Sequence, residues 1–123
     1  MVYKTATCGC CKAWVDHVRA HGFKVQAHDV SREQLDAIGR EAGVTRELGS
    51  CHTARVAGYT VEGHVPAADI ARLLRERPAV AGLAVPGMPV GSPGMEMGDQ
   101  RDPYDVVAFT KDGRHRVFTH YRR

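Results

Sequence analysis

Hydrophobic positions along this chain follow two periods, one typical of strands and the other of helices. Residues 2–4 are a short β-prone start, and residues 11–21 carry apolar side chains at helical spacing. Residues 23–29 then alternate apolar and polar side chains, which is the period of a strand with one buried face. A second helix follows at once, because Ser31 and Gln34 have the spacing of a capping box. The first half of the chain therefore predicts the order β-α-β-α.

The middle of the chain predicts two strands and a third helix. Residues 53–57 and 59–61 are β-prone and are separated only by Gly58, which favours an antiparallel pair. A helix is expected next, between Pro66, which suits a first helical turn, and Pro78, which ends it. The resulting order β-α-β-α-β-β-α is that of a thioredoxin-like α/β domain. In that order the loop after the first strand lies at the strand's carboxyl end, where open α/β sheets keep their sites.

The chain changes character after the third helix. Residues 79–103 are rich in proline, glycine and methionine, so this Pro/Gly/Met-rich segment cannot be regular structure throughout. Residues 104–110 and 114–121 predict a C-terminal β-hairpin that turns between them. We therefore expect one thioredoxin-like domain over residues 1–123, in which residues 78–123 are a C-terminal extension packed on the rest.

The length and the net charge of the chain limit the kinds of protein it can be. A chain of 123 residues with 43% hydrophobic residues can build one core, as a single domain requires. The net charge of +3 comes from 17 basic and 14 acidic residues scattered along the chain, so no basic stripe suits a nucleic acid. No apolar run is long enough to span a bilayer, and the first residues show no signal-peptide pattern. We expect a soluble chain, in a mature or trimmed form, without a nucleic-acid partner.

The four cysteines are unevenly placed: Cys8, Cys10 and Cys11 fall within four positions, and Cys51 stands alone. A framework of stapling disulfides ties distant parts of a chain together, which the first three cysteines cannot do with one another. They lie where a loop becomes a helix, so free backbone N–H groups and the helix dipole favour thiolates. In the thioredoxin-like order, the loop that carries Cys51 packs beside the start of the first helix. Metal binding or redox chemistry is therefore the leading interpretation.

Softness and spacing decide which metal four thiolates would hold. They can bind one tetrahedral Zn²⁺ or bridge several Cu(I) ions. Structural zinc sites usually draw on two knuckles of two cysteines each, whereas this sequence offers three and one. The neighbours Cys10 and Cys11 also diverge on a helix. The pattern therefore favours a cluster of several Cu(I) ions, with zinc as the alternative.

Five more residues are candidate auxiliary ligands or neighbours of the metal. Methionine thioethers are soft donors that select Cu(I), and a lysine next to the cysteines adds positive charge. The histidine after Cys51 is expected to face away from the metal, because adjacent residues on a strand point to opposite faces. These candidates are Met88, Met95, Met97, His52 and Lys12.

The remaining polar residues predict no further site. Six histidines are dispersed and match no catalytic or zinc spacing, so most are expected at the surface. They are His17, His21, His28, His64, His115 and His120. Glu62 and Glu96 are expected to be ordinary solvated acids. No Ser-His-Asp arrangement, glycine-rich phosphate loop or pair of carboxylates predicts a catalytic site.

Motifs spread over nearly the whole chain occur together in one known family. They are Tyr3-Lys4-Thr5, Cys8-Gly9-Cys10-Cys11, Ser50-Cys51-His52-Thr53-Ala54, and residues 58–66, 82–89 and 91–96. On these motifs the sequence resembles the CopG-type copper-resistance proteins of bacteria. The resemblance implies a thioredoxin-like fold, a periplasmic location, and a role in handling or detoxifying copper, with the CxCC cysteines and Cys51 as ligands. Family members usually carry an export signal, and none is visible in this sequence. The expected periplasmic location therefore depends on the resemblance alone.

Three functions fit these residues. The first is a protein that holds Cu(I), with copper ions and other copper-handling proteins as partners. The second is a thioredoxin-like thiol or copper oxidoreductase, because Cys8 and Cys11 form a Cys-x-x-Cys pair at a helix start. Cys10 argues against a plain oxidoreductase, since a third thiol invites wrong disulfides. The third function is a zinc-stabilised interaction domain, in which one Zn²⁺ would hold the fold together.

Overall fold

The computed structural model describes residues 1–45, 48–96 and 101–121, which contain seven strands and three helices. The strands are β1 (Val2–Lys4), β2 (Ala27–Asp29), β3 (His52–Val56), β4 (Tyr59–Glu62), β5 (Gly82–Ala84), β6 (Tyr104–Phe109) and β7 (His115–Tyr121). The helices are α1 (Gly9–Ala20), α2 (Arg32–Glu41) and α3 (Ala67–Glu76). None of these helices is long and apolar enough to cross a membrane.

The seven described strands form one sheet in the order β2-β1-β3-β4-β5-β6-β7. β1 pairs in parallel with β2 and antiparallel with β3, and β3 and β4 form the predicted antiparallel pair. The first seven elements therefore follow the predicted order β-α-β-α-β-β-α, and the α/β class is confirmed. The thioredoxin-like assignment agrees with this order and stays a prediction.

The C-terminal part of the chain extends the same sheet. β5 lies inside the Pro/Gly/Met-rich segment, where it pairs in parallel with β4 and antiparallel with β6. β6 and β7 form the predicted hairpin, with a register shift between Val106 and Val107. Asp69, in the first turn of α3, accepts hydrogen bonds from Thr119 and Tyr121 of β7. The hairpin is thus joined to the rest of the protein both by the sheet and by α3.

The core lies around β4, all four residues of which are buried. The main apolar cluster joins the central strands to two helices, and its helical members are Trp14, Val15, Val18, Ala67, Ile70 and Leu73. A smaller cluster contains Leu48, Ala84, Val107 and Phe109. Trp14 lies three residues after Cys11, so the packing of this large side chain also fixes the start of α1.

One predicted strand is much shorter than expected. The alternation over residues 23–29 predicts a strand with one buried face, but strand pairing is confined to β2, and all three of its residues are exposed. Phe23 and Val25 do pack against the core, from an irregular segment that precedes β2. The reason is that β2 lies at an edge of the described sheet, where only the three residues of β1 offer it backbone hydrogen bonds.

The helix starts also differ in part from expectation. α2 has the predicted capping box between Ser31 and Gln34, with hydrogen bonds of 3.1 and 3.0 Å. The N-cap of α3 is Pro66, which has no side-chain donor or acceptor, and the ring Nε2 of His17 accepts the N–H of Ala67 instead, at 3.1 Å. His17 is therefore half-buried and caps another helix, whereas the sequence predicts a surface residue.

Candidate metal centre

The three clustered cysteines lie at the start of α1, in the loop that follows β1. Cys8 is the N-cap of α1, and its Sγ accepts the backbone N–H of Cys11 at 3.2 Å. α1 therefore begins at Gly9, two residues earlier than the apolar spacing predicts, because a sulfur performs the capping that an oxygen usually performs. This cap places the side chains of Cys10 and Cys11 in the first turn of the helix.

Cys51 lies immediately before β3, and the pairing of β3 with β1 brings it to the start of α1. The Sγ of Cys10 is 3.5 Å from that of Cys8 and 3.8 Å from that of Cys51. The Sγ of Cys11 is 3.3 Å from the carbonyl oxygen of Cys51. All four sulfurs lie within 4.8 Å of one another, so they can contact one small ion or a compact cluster.

Two of these cysteines, Cys8 and Cys11, are joined by a disulfide, and Cys10 and Cys51 are free thiols. Cys8 and Cys11 are three residues apart across the first helical turn. Their Cα atoms are 5.3 Å apart, within the usual range for a disulfide. The disulfide joins the two cysteines that form the Cys-x-x-Cys pair in the sequence. The disulfide closes too short a loop to staple the domain, and it is the pairing that the oxidoreductase alternative requires.

His64 is the main residue of this centre that the sequence does not predict. It is fully buried, although a surface position is expected, and its Nε2 lies 3.1 Å from the Sγ of Cys51. Its Nδ1 donates to the carbonyl oxygen of Pro93 at 2.6 Å, so in the neutral ring the lone pair of Nε2 faces the thiol. Burial lowers the pKa of His64. Burial and the neighbouring Cys10 raise the pKa of Cys51 to about 12, so the metal-free thiol donates to this imidazole.

His52 also lies beside Cys51, which corrects the expectation that it faces away. Its Nδ1 is 3.3 Å from the Sγ of Cys51, and its ring packs on Trp14 with the ring centres 4.4 Å apart. The rule of alternating faces does not apply, because Cys51 precedes the strand that begins at His52. Cys51, His52 and His64 thus form a second group of donor atoms within 4.8 Å. Among the described residues, the buried Nε2 of His52 has no hydrogen-bond partner.

The burial of His52 predicts that acid destabilises the metal-free protein. Burial, reinforced by the nearby His64, lowers the pKa of His52 to about 3, whereas an unfolded histidine has a pKa of about 6.5. The unfolded state therefore binds more protons between these values, and stability that is present above pH ~6.5 is lost as the pH falls. We expect His52 alone to lower the free energy of unfolding by about 2 kcal/mol between about pH 7 and pH 5.

The measurement is urea unfolding of metal-free protein at several pH values, compared with the variant His52→Gln. The other ionisable side chains are the same in both proteins, so the difference between the two pH profiles reports on His52. The variant should show a shallower loss in acid. Two parallel profiles would show that this histidine does not resist protonation.

The Pro/Gly/Met-rich segment covers one side of the cysteines. The Sδ of Met88 lies 3.8 Å from the Sγ of Cys10, and about half of this side chain is exposed. Met95 makes backbone hydrogen bonds with Ser92 and Gly91, and no contact of its thioether with a cysteine is found in the described residues. Met97 lies outside the described residues. Lys12 is exposed on α1, where its backbone N–H donates to the carbonyl of Cys8.

The two acids that the sequence predicts to be solvated differ from each other. Glu96 is exposed as expected. Glu62 is buried, and its carboxylate accepts hydrogen bonds from the backbone N–H of Ser50 and the hydroxyl of Thr53. Burial raises the pKa of Glu62 to about 7, against the opposing effect of these two hydrogen bonds. The expectation of a solvated acid is therefore wrong for Glu62, because it belongs to β4, a central strand whose four residues are all buried.

Comparisons with known proteins come from a family model and from solved structures. A family model described as "Protein of unknown function, DUF411" matches residues 48–95. A solved structure named Copper resistance protein copG, Form 1, is 52% identical, has a TM-score of 0.91, and covers 98% of this chain and 94% of its own. Form 2 is 51% identical, has a TM-score of 0.90, and covers 98% and 95%. No curated protein matches the chain. The likeness to the solved structures therefore includes both the first seven elements and the C-terminal hairpin.

Proposed function

Because the chain belongs to the CopG family of copper resistance proteins, we propose that it binds Cu(I) through the thiolates of Cys8, Cys10, Cys11 and Cys51. The role is in copper resistance or homeostasis, with copper ions as cargo and other copper-handling proteins as partners. The observation that carries the proposal is the convergence of the four sulfurs within 4.8 Å. Thiolates are soft ligands that select Cu(I), and no hard carboxylate belongs to this group.

The arrangement of the sulfurs favours more than one copper ion. The Sγ of Cys10 is close to the Sγ atoms of both Cys8 and Cys51, at 3.5 and 3.8 Å, and a thiolate in that position can bridge two ions. The exposed thioether of Met88, 3.8 Å from Cys10, adds a soft donor on the solvent side. A multinuclear Cu(I)-thiolate cluster therefore fits these donors better than one tetrahedral Zn²⁺. By the same family membership, we assign the protein to the periplasm.

Binding through all four thiolates requires reduction of the disulfide between Cys8 and Cys11. An external thiol reductant supplies the two electrons and two protons that convert this disulfide to two thiols, and each thiol then releases its proton when its sulfur binds copper. The disulfide form offers only Cys10 and Cys51 as free thiols. Copper capacity should therefore depend on the oxidation state of the protein.

The test is an anaerobic Cu(I) titration of metal-free protein against a competing chelator, with the reduced form and the disulfide form side by side. We expect the reduced form to bind more than one Cu(I) per chain, and the disulfide form to bind fewer ions more weakly by at least about tenfold. A parallel Zn²⁺ titration addresses the zinc alternative. Equal copper binding by both forms, or one Zn²⁺ held in preference to copper, would contradict the proposal.

A second function, copper-dependent thiol oxidoreductase, is favoured by the same disulfide together with the group Cys51, His52 and His64. One thiolate and two imidazoles suit Cu(II) as well as Cu(I), so an ion at this edge of the cluster can change its oxidation state. The balance is two Cu(I) oxidised to Cu(II) for each disulfide reduced to two thiols, with uptake of two protons, and the reverse reaction is equally balanced. Adding Cu(II) anaerobically to the reduced protein in the same titration distinguishes this function, because it predicts one disulfide for every two Cu(I) formed.

A further inference from the structure

Glu62 connects the two sides of the pair Cys51 and His52. One carboxylate oxygen, Oε2, accepts the backbone N–H of Ser50 at 2.8 Å, and the other, Oε1, accepts the hydroxyl of Thr53. Ser50 immediately precedes the pair in the sequence, and Thr53 immediately follows it. A single side chain, 4% exposed, therefore holds both ends of the short segment that presents Cys51.

The position of this carboxylate follows from the sheet. Thr53 and Glu62 are directly opposite each other in the antiparallel pair of β3 and β4. The next residue, Gly63, approaches Ser50 so closely that an added Cβ would lie 2.8 Å from the Oγ of Ser50 and 2.6 Å from the carbonyl oxygen of Val85. Ser50 is thus packed closely against the backbone of Gly63, and the neighbouring Glu62 adds a side-chain anchor.

Glu62 is one of the residues that line a cavity beside α2. The cavity has a volume of about 590 Å³, and its lining also includes Arg32 and Thr45. A side chain next to such a space has room to take other rotamers, so the hydrogen bonds to Ser50 and Thr53 decide its position on that side. Removing those bonds should therefore loosen residues 50–53, the segment that presents Cys51.

Ser50, which Glu62 holds, is also hydrogen-bonded to the Pro/Gly/Met-rich segment. Its hydroxyl donates to the carbonyl oxygen of Gly87 at 2.6 Å. The next residue, Met88, carries the thioether that lies 3.8 Å from the Sγ of Cys10. Ser50 is therefore linked to both donors: it precedes Cys51 in the chain, and it is hydrogen-bonded to the residue that precedes Met88.

We propose that Glu62 is a positioning residue of the copper centre, which holds the thiol of Cys51 and, through Ser50, the thioether of Met88 against Cys10. The inference rests on the proposed copper binding for its functional meaning. The anchoring itself is a property of the metal-free protein. In the part of the chain that the structure describes, Glu62 is hydrogen-bonded to Ser50 and Thr53 and to no donor atom of the centre, so its effect on the copper is transmitted through these two residues.

Two substitutions at Glu62 separate hydrogen bonding from charge. In Glu62→Gln, the amide oxygen can accept from the N–H of Ser50 and the amide nitrogen can donate to the hydroxyl of Thr53, so both links survive. Glu62→Leu has similar size and removes both links. Asp69→Leu is the matched control, because it also removes a buried carboxylate that accepts two hydrogen bonds, in this case from Thr119 and Tyr121.

The first readout needs no copper. In reduced, metal-free protein, the rate at which iodoacetamide alkylates each cysteine is followed by mass spectrometry of peptides. We expect alkylation of Cys51 to become about tenfold faster in Glu62→Leu, and to change less than twofold in Glu62→Gln and in Asp69→Leu. The second readout is Cu(I) affinity by chelator competition, which should fall about tenfold in Glu62→Leu and recover in Glu62→Gln.

The two readouts make the outcomes distinguishable. If the wild-type protein binds no Cu(I), the proposed function fails, and the alkylation rates still report whether Glu62 holds Cys51. Glu62→Leu behaving like Asp69→Leu in both readouts would overturn the positioning role, and so would Glu62→Gln behaving like Glu62→Leu, since charge and not hydrogen bonding would then matter. If Glu62→Leu does not fold, Thr53→Val removes one of the two links and should show smaller changes in the same direction. Unchanged rates and affinity in Thr53→Val would then count against the role.

Discussion

Replacing Cys51 by serine is expected to weaken Cu(I) binding to the reduced protein by more than about 100-fold and to lower the number of ions bound per chain. Loss of a residue that only supports a metal ligand typically costs 10–100-fold in affinity, so loss of a thiolate ligand should cost at least the upper end of that range. Cys51 contacts Cys10 at 3.8 Å and His64 at 3.1 Å, and it is the one cysteine of the four that does not come from the start of α1. The measurement is anaerobic titration against a competing chelator.

A matched control is Ala71→Ser, which introduces the same hydroxyl at an exposed position of α3. This control should bind copper as the wild-type protein does. Urea unfolding of both variants checks that the serine at position 51 has not simply unfolded the chain. An affinity and a stoichiometry within twofold of the wild type in Cys51→Ser would mean that the clustered cysteines bind copper without it.

Gly94→Ala is expected to damage both stability and copper binding, because the Pro/Gly/Met-rich segment passes too close to α1 for any side chain. Gly94 has a φ of +92°, and an added Cβ would lie 2.8 Å from the carbonyl oxygen of Cys10, 2.9 Å from Nδ1 of His64 and 3.0 Å from the N atom of Trp14. The segment must move away, which breaks the hydrogen bond from His64 to Pro93. We expect a loss of about 2–4 kcal/mol in the free energy of unfolding and about tenfold in Cu(I) affinity.

Gly87→Ala separates the close contact from the backbone strain. Gly87 lies in the same segment and also has a positive φ, of +71°, but an added Cβ would meet no atom within 4 Å. This variant should lose only about 1 kcal/mol, from the left-handed conformation alone. Equal losses in the two variants, measured by urea unfolding and by chelator competition, would show that the approach of Gly94 to α1 is unimportant.

Local signals in the sequence predict most of the fold. The capping box of Ser31 and Gln34 and the apolar spacing of α1 depend on neighbouring residues, and both correspond to helices in the structure. The segment 23–29 shows where such signals fail. Its alternation is real, since Phe23 and Val25 pack on the core, but the number of strand residues depends on how much backbone β1 presents to an edge strand. The length of this pairing depends on tertiary structure, so a local sequence pattern cannot predict it.

The candidate centre divides in the same way. The proximity of Cys51 to the other cysteines follows from the pairing of β3 with β1, which the element order implies. The sequence predicts His64 and Glu62 at the surface, because neither belongs to a catalytic or metal-ligand spacing and such polar residues are mostly exposed. Both are buried in the structure, since the segment around Pro93 covers His64 and since β4 is a central strand. The only local signal in the sequence is a glutamate and a histidine two residues apart at the end of a predicted strand. That spacing alone does not predict that either side chain is buried.

X-ray absorption at the copper edge, on reduced protein loaded anaerobically with Cu(I), tests the thiolate centre most directly. The oxidation state and the neighbours of the metal are read in one measurement, without dependence on a competing chelator. We expect Cu(I) with sulfur atoms as its nearest neighbours and a second copper close by, since the thiolate of Cys10 is near both Cys8 and Cys51 and can bridge two ions. A nearest shell of nitrogen and oxygen alone, without sulfur, would contradict binding by the cysteines.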